Sequence, residues 1–219
     1  MLLGMNGEKN MSAAVTLDML AAEGGDEEVS FNKKSTGKWE SPFELNKAYP
    51  VELTKTVPTV SKNGYSQLEV HLGIIGADGE VKAAGREWVS LPCFSDEVKA
   101  TIDQEKLAVL TDTFGKGLHG LLRAVDPATW SIYARSEKNG KKWKFFDEKG
   151  EEINPAAKVA REKAIGKGLI GAAKRLHAGS MNISGARVYV VRTENKKKPG
   201  QFFMNFYAEQ PTSYEMAEV

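Results

Sequence analysis

The stretch Tyr65-Ser66-Gln67-Leu68-Glu69-Val70-His71-Leu72 alternates apolar and polar residues with a period of two. Successive side chains of an extended strand point to opposite faces, so Leu68, Val70 and Leu72 go one way while Tyr65 and His71 go the other. The same pattern recurs downstream, where Val89 and Leu91 oppose Arg86, Trp88 and Ser90. Near the C-terminus Val188 and Val190 alternate with Arg187 and Tyr189, and Phe202, Met204 and Phe206 alternate with Phe203, Asn205 and Tyr207. A half-buried antiparallel sheet ordinarily turns an uncomplicated polar face to water. Here that second face is predicted to carry aromatic rings and guanidinium groups.

Turn and breaker signals divide the rest of the chain. Residues 49–60 read as a first strand, with Pro50 and Pro58 marking its ends or an edge. Ser61-Lys62-Asn63-Gly64 supplies a turn, since Asn-Gly favours a hairpin, and 67–75 and 85–91 follow as strands two and three, the third stopped by Pro92. Beyond Pro92 the period changes. Leu107, Leu110, Phe114, Leu118, Leu121 and Val125 recur at spacings of three and four, which predicts helices over 95–102 and 104–124. Residues 130–135 and 141–146 read as a hairpin across Lys138-Asn139-Gly140. Asn154 followed by Pro155 is a helix start signal for a helix reaching His177, with Ile165, Leu169, Ala172 and Leu176 on one face and Lys163, Lys167 and Lys174 on the other. Segments 185–192 and 201–208 close the set. The expected fold is mainly β with α elaboration (α+β): an OB-like five-stranded Greek-key barrel with a long helical insertion, residues 93–184, between the third and fourth strands.

The 219 residues, 41% of them hydrophobic, can bury one good core with an insertion. Net charge is only +1, but its distribution is uneven. Residues 1–30 set Lys9 against Glu8, Asp18, Glu23, Asp26, Glu27 and Glu28, whereas residues 158–198 hold eleven cations and two carboxylates. Residues 1–38 are expected to be a flexible acidic tail, with an amphipathic turn available over 12–22. The folded domain is expected over 39–210, followed by a C-terminal tail, 211–219. Cys93 is the single cysteine, so no intrachain disulfide or cysteine-cluster metal site is available, and a reducing compartment fits. Neither a secretory h-region nor an apolar run of membrane-spanning length is apparent, which predicts a cytoplasmic protein.

The stretch Leu45-Asn46-Lys47-Ala48-Tyr49, the hairpin Ser61-Lys62-Asn63-Gly64, the alternating strand over 68–74 and Gly85-Arg86-Glu87-Trp88 resemble phage-encoded single-stranded-DNA-binding proteins of the OB type. The likeness covers the first three strands and, loosely, the closing pair, under half of the chain. The insertion departs from the family pattern. So does the C-terminus, because Tyr214-Glu215-Met216-Ala217-Glu218-Val219 is only mildly acidic where many such proteins end in a strongly acidic tail. What the resemblance implies is single-stranded DNA binding without strong sequence preference, in phage replication or recombination beside other proteins of those processes, with no cofactor and no catalysis, in the host cytoplasm.

The residue types agree with that expectation independently. Rings stack on bases whatever the sequence, and Lys and Arg track phosphates. The candidate nucleic-acid contacts are Tyr65, His71, Arg86, Trp88, Arg187, Tyr189, Arg192, Phe203 and Tyr207 on the strands. The interleaved run Lys141-Lys142-Trp143-Lys144 and the turn lysines Lys196, Lys197 and Lys198 complete the set. The competing structural reading is that the insertion covers the aromatic face and makes it a second core layer, in which case Arg86 and Arg187 need buried partners. Two Gly-x-Gly-x-x-Gly matches, at Gly115 and Gly166, lie in helical pattern without a preceding strand and so are not a dinucleotide fingerprint; their shared Gly-Lys-Gly-Leu is expected to mark close helix packing or a small duplication. His71, His119 and His177 are scattered, and the adjacent pairs Asp96-Glu97 and Asp147-Glu148 diverge on regular structure, so no nucleophile or metal constellation emerges. Two other function classes remain open from sequence: a protein-interaction module, such as a viral assembly or host-takeover factor, and a nucleic-acid-processing enzyme.

Overall fold

A computed structural model describes residues 41–139, 142–147 and 149–219. The expected acidic tail and its amphipathic turn lie outside the described residues. In chain order the elements are β1 (Lys47–Val60), β2 (Ser66–Ile75), β3 (Val81–Ser90), α1 (Asp96–Thr101), α2 (Gln104–Val125), α3 (Pro127–Trp130), β4 (Arg135–Asn139), β5 (Lys142–Phe146), α4 (Pro155–His177), β6 (Arg187–Glu194), β7 (Phe202–Tyr207) and β8 (Glu215–Met216). The result is a mixed α+β fold built on a mainly antiparallel sheet of order β3-β2-β1-β6-β7, with β8 lying parallel to the start of β1.

The sheet is not a closed barrel. No pairing joins β3 to β7 among the described residues, and both edge strands instead touch α2. That helix packs on the buried face of the sheet through Leu118, Leu121 and Leu122.

Period-two patterning fixes the buried face. Val51, Leu53, Leu68, Val70, Leu72, Val188 and Val190 form one cluster with Leu118, Leu121 and Leu122 of α2 and Leu169, Ala172, Ala173 and Leu176 of α4. Each of the large side chains is fully or almost fully buried, worth roughly 1.5–3 kcal/mol apiece relative to exposure. Capping starts both long helices: Asp103 accepts from the Lys106 amide at 2.7 Å and Asn154 from that of Ala157 at 2.8 Å, with Pro155 at N1. Lys163, Lys167 and Lys174 are exposed, as the wheel of α4 requires.

Two prolines inside a central strand need a reason, because proline cannot donate to a ladder. On its β2 side, β1 pairs from Val51 onward and β8 occupies Lys47 and Ala48, leaving Pro50 in the gap. On the other side β6 pairs only from Ala48 to Glu52, so Pro58 lies beyond its reach. Each proline falls where one side of β1 lacks a partner.

Several local expectations are corrected. Residues 130–135 are not a strand: Asp126 caps the short helix α3, its Oδ1 accepting from the Thr129 amide at 3.2 Å, and the first hairpin strand begins only at Arg135. The Gly-Lys-Gly-Leu repeat is packed at one glycine only, Gly168, where a Cβ would stand 3.6 Å from the Trp130 ring, an ordinary contact. Leu118 and Leu169 enter the core, but a Cβ at Gly115, Gly117, Gly120, Gly166 or Gly171 meets nothing within 4 Å, and Gly115 and Gly166 line a cavity of about 270 Å³ between α2 and α4. Gly73 is the opposite case, since a Cβ there would stand 2.4 Å from Val81 Cγ1 and 2.9 Å from Thr54 Cγ2.

Candidate nucleic-acid interface

All the helices that touch the main sheet join the same core, so among the described residues no helix covers its other face. Register decides what stands there. Between β2 and β3, Glu69 faces Trp88, His71 faces Arg86 and Gln67 faces Ser90. A bulge at Thr54 shifts the register of β1 so that Lys55 faces His71 and Val57 faces Glu69. Glu52 faces Arg187 across β1 and β6, Pro50 faces Tyr189, and Tyr189 in turn faces Tyr207, with Phe203 opposite Thr193. The open face thus brings His71, Arg86, Trp88, Arg187, Tyr189, Phe203 and Tyr207 onto one surface. Trp88 is 48% and Phe203 53% exposed, so neither belongs to a second core layer.

Both arginines on this face are paired, whereas Lys55 enters no ion pair among the described residues. Glu69 Oε1 accepts from Arg86 Nη1 at 2.9 Å and stands 3.1 Å from His71 Nε2, and the Arg86 guanidinium lies 5.7 Å from the Trp88 ring centroid. Arg187 Nε donates to Glu52 Oε2 at 3.2 Å. The two arginines find carboxylates at the surface, so the buried partners demanded by a covered face are not needed.

The surface is not bare throughout. Tyr189 and Tyr207 are half-buried, and the chain returns along this end: Tyr214 lies 6.4 Å from Tyr207, and the Ala217 amide donates to the Ala48 carbonyl at 2.9 Å. Ala48 and Val191, which alternate onto the open face, are fully buried there. Burial first, and then the neighbouring Tyr214, push the Tyr207 phenol above its usual range. The exposed rings are therefore Trp88 at one edge of the sheet and Phe203 at the other.

Two candidate residues belong elsewhere. Tyr65 sits one residue before β2, where strand alternation no longer governs it, and its ring packs edge-on against Phe94 at 6.0 Å and Phe114 at 5.7 Å. Arg192 is on the core side of β6, its guanidinium 4.0 Å from the Phe202 centroid and its Nη1 donating to the Phe43 carbonyl at 3.3 Å. Both hold the fold together.

The cationic loops complete the set. Lys196, Lys197 and Lys198 occupy the β6–β7 turn, shaped by Asn195 accepting from the Lys197 amide at 3.0 Å and by Gly200 at φ 83°. All three are exposed, and none enters an ion pair among the described residues. In the β4–β5 hairpin Lys142 is exposed and Trp143 is 58% exposed, whereas Lys144 is held by Glu152 at 2.7 Å. Lys141 lies outside the described residues.

Sequence reading missed Lys55, because only the bulge at Thr54 brings it to the open face. It also missed the partners of the arginines. Alternation alone puts Glu69 opposite in sense to Leu68 and Val70, but its meeting with Arg86 depends on cross-strand register. On the core side Glu87 faces Val70, and burial alone pushes its carboxyl from 4.5 up to about 7. Burial likewise raises the half-buried Cys93 thiol, the opposite of what an activated nucleophile needs. Among the described residues, no group of three or more His, Cys, Asp or Glu could hold a metal ion, and no helix is long and apolar enough to cross a membrane.

The chain matches no protein-family model, and no curated protein matches it.

Proposed function

We propose that this protein binds single-stranded DNA on the open face of its main sheet, as a partly open, OB-like member of the phage single-strand binders that its sequence resembles. The observation that carries the reading is the exposure of Trp88 and Phe203 on a face that also holds Lys55, His71, Arg86 and Arg187. Unpaired bases offer π-faces to such rings at about 1–3 kcal/mol per stack, and a duplex hides them. The lysines of the β6–β7 turn, which enter no ion pair among the described residues, lie on the loop joining Glu194 to Phe202 and serve as phosphate contacts. Trp143 with Lys142 on the satellite hairpin is a second ring-and-cation pair for the same strand. Binding requires no cofactor, and the biological setting proposed is phage DNA replication or recombination in the host cytoplasm, beside other proteins of those processes.

The test is a titration with labelled single-stranded DNA, duplex DNA and RNA in parallel across a salt series. Preferential, salt-dependent binding to single strands is expected. An absence of nucleic-acid binding would turn the open face into a protein-docking surface, and metal-dependent cleavage of the strand would make the protein an enzyme.

A further inference from the structure

We infer that Glu52 and Glu69 are internal competitors for phosphate, holding Arg187 and Arg86 on the open face until a bound strand displaces them; this rests on the single-strand reading above. The two carboxylates are the more buried partners. Glu69 is 18% and Glu52 25% exposed in their side chains, while Arg86 and Arg187 are 56% and 65% exposed. Each guanidinium thus keeps N–H groups turned to solvent while its other side is tied to the sheet. Carboxylate and phosphate present the same kind of paired oxygen acceptors to a guanidinium, so an arginine can change partners without leaving the surface.

Energetics make the exchange reversible. Ion pairs this exposed are weak, because water screens them, so a phosphate can displace the glutamate. Each exchange nonetheless leaves an unpaired carboxylate beside the incoming anion. Glu69 has a second partner in His71 Nε2 at 3.1 Å, which remains when Arg86 departs, whereas Glu52 has no other ion-pair partner among the described residues. With Lys55, Arg86 and Arg187 set against Glu52 and Glu69, the sheet surface is close to neutral, so the phosphate contribution is held down and stacking must supply the selectivity. A freed glutamate also takes up a solution cation, offsetting part of the counterion release that drives phosphate binding.

The experiment compares the wild-type protein with Glu52→Gln, Glu69→Gln and the double variant, using a labelled oligothymidylate over a salt series. Glu105→Gln, an exposed carboxylate on α2 with no ion-pair partner among the described residues, carries the same charge change away from the open face. Glutamine keeps the oxygen acceptor, and melting temperatures establish that each variant is folded; the single variants carry the test if the double variant is unstable. The double variant should bind roughly three- to tenfold more tightly at low salt, with a slope of log affinity against log salt steeper by up to about 0.7 per freed arginine, and Glu105→Gln should match wild type. Equal affinity and slope in the wild-type protein and the glutamine variants overturn the inference. So does an equal gain in Glu105→Gln, which reduces the effect to net charge. A wild-type protein that does not bind the oligonucleotide overturns the underlying single-strand reading, and is recognised before any variant is measured.

Discussion

Glu87 makes the stability of this fold depend on pH in a direction opposite to that of most carboxylates. It sits on the core face of β3 opposite Val70, and burial moves its carboxyl from 4.5 to about 7. A carboxyl displaced that far costs the native state about 3 kcal/mol once it is ionised in both states. The sign follows from proton counting. Between pH 4.5 and 7 the native protein holds a proton that the unfolded chain has released, so this residue's contribution falls as pH rises, by up to about 1.4 kcal/mol per pH unit, and is fully lost above about pH 8. Glu87→Gln removes the ionisation and keeps the shape. For a domain of this size, 1 kcal/mol shifts the midpoint by roughly 2–4 °C, so the variant should melt about 6–12 °C above wild type at pH 8.5, and the two should converge toward pH 4.5. Thermal unfolding followed by circular dichroism across that range decides the matter. Parallel pH profiles for the two proteins would refute a carboxyl held against the core.

Other outcomes follow from named interactions. Gly73→Ala should destabilise by about 1–3 kcal/mol in denaturant unfolding, because the new methyl collides with Val81 and Thr54. Arg192→Ala should cost about 1–2 kcal/mol by removing the packing on Phe202 and the bond to the Phe43 carbonyl, while leaving the salt slope of DNA binding unchanged. Replacing Lys196, Lys197 and Lys198 together with glutamine should flatten the slope of log affinity against log salt by about 0.7 for each phosphate no longer neutralised, with no change in melting temperature.

Much of the fold was legible because local rules and packing agree. Period-two alternation identified the inward residues of β2 and β6, and Asn154-Pro155 marked the start of α4 to the residue. Barrel closure is not legible, since a strand inventory does not reveal that β3 and β7 stay unpaired among the described residues while both touch α2. The same holds for β1, where a single extra residue at Thr54 exchanges the two faces and delivers Lys55 to the open one. Asp126-Pro127 is a cap and N1 pair legible in the sequence, and it makes residues 127–130 a helical turn rather than the approach to a strand. Residue chemistry misled at Arg192, whose alternation with Tyr189 already put it on the core side; its charge suggested phosphate, but its stem packs on a ring. Tyr65 failed because the alternation that sends a side chain outward begins only at Ser66. For Tyr189 and Tyr207 the strand face was read correctly, and their partial cover comes from Tyr214, a neighbour no local pattern announces.

The affinity of the Trp88→Ala/Phe203→Ala double variant for single-stranded DNA tests the central claim most directly, since both rings are exposed and neither belongs to the hydrophobic core. Measured by fluorescence anisotropy beside wild type, the variant should lose about 2–6 kcal/mol of binding free energy, from two stacks, while its melting temperature stays within a few degrees. Unchanged affinity in a stably folded variant would contradict a base-stacking role for the open face.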